Sequence, residues 1–233
     1  MKTIGLIGGI SWESTVKYYE GLNLGIREAL GGFYSCPMTM ISVDFQEIEK
    51  RQRTGAWDEL TEMMIGYGKR LEAAGAEGIL ICANTMHRMA GEVETAVGLP
   101  VIHIGDATGK AVVDKQLKKV GLLGTMYTMT QPFLKQYLCD RYDLEVIVPE
   151  GDDLTTVHRI IFEELVQGKV LSDSKASYLT IIDRLIGQGC QGIILGCTEI
   201  PMLIGQEDCA VPVFDTTKLH IATGVDFVLG KEA

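Results

Sequence analysis

The chain has 233 residues, 46% of them hydrophobic, which is enough to fill one large core or two small ones and excludes an intrinsically disordered chain. A formal net charge of -10 with no long cationic stripe argues against a nucleic acid partner, because such binding depends on Lys and Arg neutralising phosphates. Six scattered cysteines without a CxxC pair and four scattered histidines give no support to a structural zinc site, so no metal is expected.

The chain begins MKTIGLIGG, a strand-like run without the h-region and cleavage site of a secretory signal. No run of about 18 apolar residues occurs, so neither a transmembrane helix nor a membrane partner is expected. A chain this long does not need disulfide staples, and a reducing cytoplasm is the expected location.

In chain order, short β-rich runs alternate with longer stretches of helical spacing. Strands are expected near 3–7, 38–43, 78–82, 100–103, 119–123, 144–148, 192–195 and 211–214. Helices are expected over 12–29, 57–74, 85–97, 128–138, 153–166, 174–186 and 216–229. That alternation predicts an α/β protein with parallel sheets covered by helices on both faces, and the continuous apolar strands read as buried on both sides.

The chain nearly repeats itself. GAEGILICANT, from Gly75 to Thr85, aligns with GCQGIILGCTE, from Gly189 to Glu199. IGLIGG, from Ile4, aligns with VGLLGT, from Val120, and LPVIH, from Leu99, with VPVFD, from Val211. The spacing between partners drifts slightly, as loop insertions in two copies of one unit would produce. The expected architecture is therefore two pseudo-symmetric, doubly wound parallel-sheet domains from an internal duplication, with half-sites facing one another across a ligand. The predicted boundaries are 1–98 plus 210–233 for the first domain and 99–209 for the second.

In open α/β sheets the ligand lies beyond the carboxyl ends of the strands. Those ends are Gly8-Gly9-Ile10-Ser11, Asp44, Ala83-Asn84-Thr85, Gly124-Thr125, Cys197-Thr198-Glu199 and Asp215-Thr216. Cys197 is expected to open a helix N-terminus, where amide N–H groups and the dipole would lower its thiol pKa and suit it to act as base or nucleophile. By position alone packing remains open for it, and the adjoining Thr198-Glu199 favours chemistry. Cys82 precedes Ala83 by one residue and so points to the opposite face of its strand. Cys36, Cys139, Cys190 and Cys209 read as packing or surface residues.

Asn84, Thr85 and Thr198, and in the second half Thr125, Thr128 and Thr130, can serve as helix caps or as carboxylate ligands. Glu199 can orient a partner of the thiol or favour a helix dipole. His87 carries no assigned role, and a packed histidine is the default there. GLIGGIS lacks the spacing of the dinucleotide fingerprint at its second glycine. Lys50, Arg51 and Arg53 read as a solvated face or as positive charge for an acidic substrate.

Taken in order, GLIGGISWEST, SVDFQEIEKRQRTGAWD, ANTMH, LLGTMYTM, IIFEEL, GCTEI and VPVFDT resemble the cofactor-independent aspartate/glutamate racemase family over nearly the whole chain. The resemblance is closest to bacterial aspartate/glutamate-specific and broad-specificity amino-acid racemases. It implies two α/β domains, with the C-terminal segment returning to the first and an amino acid held at their interface. It also implies a homodimer and an enzyme without pyridoxal phosphate or any other cofactor. In the family pattern two cysteines work on opposite faces of the α-carbon, at the positions of Ala83 and Cys197. Substrate contacts carry over to Ile10, Ser11, Gln52, Asn84, Thr85, Thr198 and Glu199; Ala83, at the first cysteine position, and the strand-end residues Thr125 and Thr128 complete the expected substrate site.

The departure is Ala83, whose methyl group neither takes nor gives a proton. The leading expectation is an amino-acid racemase with Cys197 as its acid/base, one-sided or impaired by Ala83. The alternatives are a single-cysteine decarboxylase or isomerase of the same superfamily and a non-catalytic amino-acid-binding protein.

Overall fold

A computed structural model describes residues 1–231 of the chain. It divides into two compact units, residues 1–103 with the segment from His220 onward, and Ile104–Leu219. Each unit has a parallel sheet of its own.

The first unit runs β1 (Ile4–Gly8), α1 (Trp12–Leu30), β2 (Met38–Ser42), α2 (Phe45–Thr54), α3 (Trp57–Ala73), β3 (Gly78–Ile81), a 3-10 turn (Thr85–Met89) and α4 (Ala90–Val97). Its strands lie in the order β2-β1-β3, all parallel, and Val101 adds one bridge to Ile79. Successive strand residues feed opposite cores, as a period of two requires. Ile7, Ile79 and Ile81 pack with Ile48, Leu60 and Met64, while Ile4, Leu6, Leu80 and Cys82 pack with Tyr18 and Leu22. Burial on both faces defines a doubly wound sheet and explains why the strands lack polar alternation.

The second unit runs α5 (Ile104–Asp114), β4 (Lys119–Gly124), α6 (Met126–Thr130), α7 (Pro132–Tyr142), β5 (Glu145–Ile147), α8 (Gly151–Glu163), α9 (Ser172–Gly187), β6 (Ile193–Gly196), a 3-10 turn (Ile200–Met202), β7 (Val213–Asp215) and α10 (Thr216–Val228). The strand order is β5-β4-β6-β7, again parallel. The duplication seen in the sequence is thus a duplication of topology. β2-β1-β3 with Val101 repeats as β5-β4-β6-β7, and the bridge Ile79–Val101 has its counterpart in the pair Ile193–Val213. From His220 onward α10 belongs to the first unit, where glycines admit its side chains closely. Ile221 meets Gly21, Val225 meets Gly25, and Gly224 lies against Leu80 and Leu22.

Several elements differ from the sequence-based expectation. The boundaries fall at 103/104 and 219/220 and not at 98/99 and 209/210, for two reasons. Val101 joins the first sheet through its bridge to Ile79, and β7 pairs along β6 in the second. The strand expected over 100–103 shrinks to that single bridge. Two unexpected helices appear. α2 buries only Ile48 and Gln52, so its charged surface hides the helical spacing; Asp44 caps it by accepting from the Gln46 N–H at 3.0 Å. α5 carries Gly105 and Gly109, which weaken a helical pattern, yet Gly109 lies directly against the ring of Tyr142. The helix expected over 128–138 divides at Gln131, because Pro132 starts α7. Among the described residues no helix is long and apolar enough to cross a membrane.

Candidate active site

In the first unit the strand ends of β1 and β3 and one face of α2 come together. Ile10, Ile48, Ala83 and Met86 share one buried cluster. Gln52, 5% exposed, donates from Nε2 to Sδ of Met86 at 3.4 Å. The glycine turn after β1 is fixed by Thr15, whose Oγ1 accepts from the Gly9 N–H at 2.8 Å and donates to the Ser11 carbonyl at 2.8 Å. Gly9 has φ +85 and packs against the Val43 backbone, so close approach of two chain segments accounts for this glycine. Ser11, Asn84 and Thr85 are all buried. Ala83 and Cys82 lie in opposite cores, and burial pushes the Cys82 thiol far up.

In the second unit Gly124 on β4 pairs with Gly196 on β6, so Thr125 and Cys197 are the residues that follow paired neighbours. Thr128 sits over both glycines, where a Cβ on either would crowd it. Thr125 caps α6: its Oγ1 accepts from the Thr128 N–H at 3.3 Å and lies 3.2 Å from the Thr128 hydroxyl. The Met126 N–H, one residue on, donates to Nδ1 of His158 at 3.1 Å.

Cys197 lies in the core with Leu123, Met129, Tyr178 and Ile200. Its thiol donates to Oε2 of Glu199 at 3.0 Å, and the Thr198 hydroxyl donates to the same oxygen at 2.8 Å. All three residues are buried.

This arrangement corrects the expectation of a lowered thiol pKa. Burial raises it first, and the Glu199 carboxylate raises it further by its charge and by accepting the S–H bond; the amide N–H groups of Glu199 and Thr198 oppose this without prevailing. The helix thought to begin at Cys197 is a three-residue 3-10 turn starting at Ile200, too short and too late to supply a dipole. At rest Cys197 is therefore a proton-loaded thiol beside a group able to accept that proton.

The expectation of a packed histidine at His87 agrees with its burial, but its hydrogen bond was not foreseen, and His158 was passed over. His87 is 3% exposed, and its Nδ1 lies 2.8 Å from the Ala83 carbonyl. Its ring meets His103 and His220 edge-on at 4.9 and 5.3 Å between centroids. The position of His87 just after ANT was the available signal. His158 had none, because its partner Met126 is distant in sequence. Among the described residues no cluster of three or more His, Cys, Asp or Glu is arranged to hold a metal ion.

Fold and strand ends together define a class, the α/β proteins with two parallel sheets and a buried cysteine at the end of a strand. The Asp/Glu/Hydantoin racemase family model matches residues 7–224, and the chain belongs to that family. Its fold is similar to that of a Yersinia pestis protein provisionally named an Asp/Glu racemase, with 45% identity, 98% of this chain and 100% of the other covered, and a TM-score of 0.92. An aspartate racemase homologue from Pyrococcus horikoshii OT3 is 35% identical, covers 98% of this chain and 100% of its own, and has a TM-score of 0.84. In sequence, the broad-specificity amino-acid racemase of Bacillus subtilis (strain 168) is 21% identical over 92% of each chain.

Proposed function

We propose that this protein is a racemase of the aspartate/glutamate type that moves the α-proton of an amino acid with Cys197 and needs no pyridoxal phosphate. The observation that carries the reading is the buried Cys197–Glu199 pair at a strand end in a member of this family. A thiol cannot remove a proton until it has lost its own. In the proposed cycle the Cys197 proton passes to Glu199, the thiolate takes the hydrogen from Cα, and the carbanion is reprotonated.

The main energetic task is to stabilise that carbanion, because an amino acid α-carbon is a very weak acid. Amides and hydroxyls around the substrate carboxylate serve it best when they meet charge that grows in the transition state. The proposed contacts are Ile10, Ser11, Gln52, Asn84, Thr85, Thr198 and Glu199, as the family resemblance implies, with Ala83 at the first cysteine position and Thr125 and Thr128 added by their place after a strand.

Ala83 makes the reaction one-sided. Cys82 is turned into the opposite core, so water is the proposed proton source on the face that lacks a thiol. In deuterium oxide, NMR should show Cys197-dependent α-hydrogen exchange in one enantiomer of aspartate or glutamate, faster than interconversion of the two. Absence of exchange from all four amino acids sinks the proposal.

One observation also favours a second reading. A single thiol that rests protonated is what a decarboxylase needs to quench a carbanion, and a decarboxylase needs no second thiol. Turnover of malonates without exchange of amino acids would put that reading first. Tight binding of an amino acid in calorimetry with neither activity would favour a binding protein.

A further inference from the structure

We infer that His87 is a positioning residue that fixes the direction of the Ala83–Asn84 peptide, setting the Asn84 amide for a substrate carboxylate; the substrate part of this inference rests on the function proposed above. His87 lies in the 3-10 turn that follows β3, and its Nδ1 is 2.8 Å from the Ala83 oxygen. A carbonyl only accepts, so Nδ1 carries the hydrogen and Nε2 the lone pair. The peptide is planar and trans, so a carbonyl drawn toward the imidazole turns the Asn84 N–H the opposite way. The His87 backbone N–H is engaged elsewhere, donating to the Asn84 carbonyl at 3.0 Å.

The surroundings select this neutral tautomer. Nε2 is buried without a hydrogen-bond partner. The groups facing the ring are the His103 imidazole, the His220 imidazole on α10 and, besides the Ala83 carbonyl, the backbones of Asn84 and Ile102. His220 is itself committed: its Nε2 donates to the Ile102 carbonyl at 2.6 Å, and its Nδ1 accepts from the Tyr18 hydroxyl on α1 at 2.8 Å. With one proton fixed on a carbonyl and its lone pair sealed in, His87 cannot relay protons to a substrate. It does not replace the thiol missing at Ala83. Burial first and then the His103 imidazole push its pKa down to about 3, against hydrogen bonds to the Ala83, Ile102 and Asn84 backbone that raise it, so it stays neutral at neutral pH.

Three substitutions separate positioning from packing. Asparagine carries an N–H close to the place of Nδ1, glutamine carries it one carbon further out, and leucine fills space without a donor. We expect His87→Asn to keep KM within about 3-fold of the parent, and His87→Gln and His87→Leu to raise it by about 10-fold or more through loss of one buried hydrogen bond. The pH profile should not change in any of them. Leucine retaining KM better than asparagine would show that the ring only fills space and would overturn the inference. So would a collapse of kcat in all three variants with an altered pH profile.

Two readouts stand without activity. In the parent, nitrogen-15 NMR of the imidazole should show His87 Nδ1 protonated and Nε2 bare, and the Asn84 amide resonance should move in the Gln and Leu variants but return in His87→Asn. A proton on Nε2 in the parent overturns the inference whether or not the protein turns over amino acids. Correct NMR signatures with no exchange in the parent would instead overturn the proposed reaction.

Discussion

The thiol of Cys197 donates a hydrogen bond to the carboxylate of Glu199 across 3.0 Å, inside the core of the second unit. The bond makes the sulfur harder to ionise and at the same time gives its proton a place to go. These effects oppose each other in experiment. A like charge next to a thiol raises its pKa, whereas a neighbouring base activates it by taking its proton.

Glu199→Gln should separate the two. The carboxamide removes the charge, so the Cys197 thiolate should appear at lower pH by about one unit or more, seen in absorbance near 240 nm and in faster alkylation by iodoacetamide. Exchange of the α-hydrogen should nonetheless fall about 10- to 100-fold, because the amide does not accept the proton. Faster alkylation together with faster exchange would show that the carboxylate only restrains the thiol.

Ala83→Cys should restore a second acid/base. Ala83 is buried in the core opposite to Cys82, so the new sulfur would face away from the existing one. Interconversion of enantiomers, followed by chiral chromatography, should rise about 10-fold or more, while Ala83→Ser, of similar size but weakly acidic, should leave it near the parent value. Equal effects of both substitutions would point to packing.

The sheets and the strand-end residues were legible in the sequence because both-face burial leaves long apolar runs and because the two copies check each other. GAEGILICANT and GCQGIILGCTE locate Ala83 and Cys197 at matching strand ends without any coordinates. α2 and α5 were hidden, one by a surface so charged that only Ile48 and Gln52 mark its inner face, the other by glycines kept for contact with Tyr142. The thiol pKa is not legible because the sequence does not distinguish a helix opening at Cys197 from the 3-10 turn that begins three residues later. Asn84, Thr85 and Thr198 follow from position, but the His87 bond to Ala83 depends on a ring orientation that no spacing specifies.

Acid should destabilise the protein through its buried histidines. His87 and His220 are held neutral, each with its pKa pushed down to about 3 by burial, while in the unfolded chain each titrates near about 6.5. Above that value both states are neutral and nothing is lost. As pH falls below it the unfolded state binds more protons, so stability drops by about 1.4 kcal/mol per pH unit for each histidine, until the folded pKa is reached. Urea unfolding at pH 7, 6 and 5 should show this slope, with His158 adding to it because burial lowers its pKa as well, and His220→Gln should reduce it by the contribution of one histidine, about 1.4 kcal/mol per pH unit. An unchanged slope in that variant would assign the acid sensitivity to carboxylates.

His158 should make ligand binding pH-dependent through the turn after β4. Its Nδ1 accepts the Met126 N–H at 3.1 Å, one residue beyond Thr125, and burial lowers its pKa. In the neutral ring Nδ1 is a lone pair; once protonated it becomes a donor and can no longer hold that amide. KM for the amino acid should therefore rise as pH falls through the lowered histidine pKa and stay flat above it. His158→Asn, whose Oδ1 can accept the same bond but does not titrate, should flatten the profile while keeping the neutral-pH KM. His158→Phe, which keeps a ring against Phe162 but loses the acceptor, should show the raised KM at every pH. A profile in His158→Asn identical to the parent's would place the titrating group elsewhere.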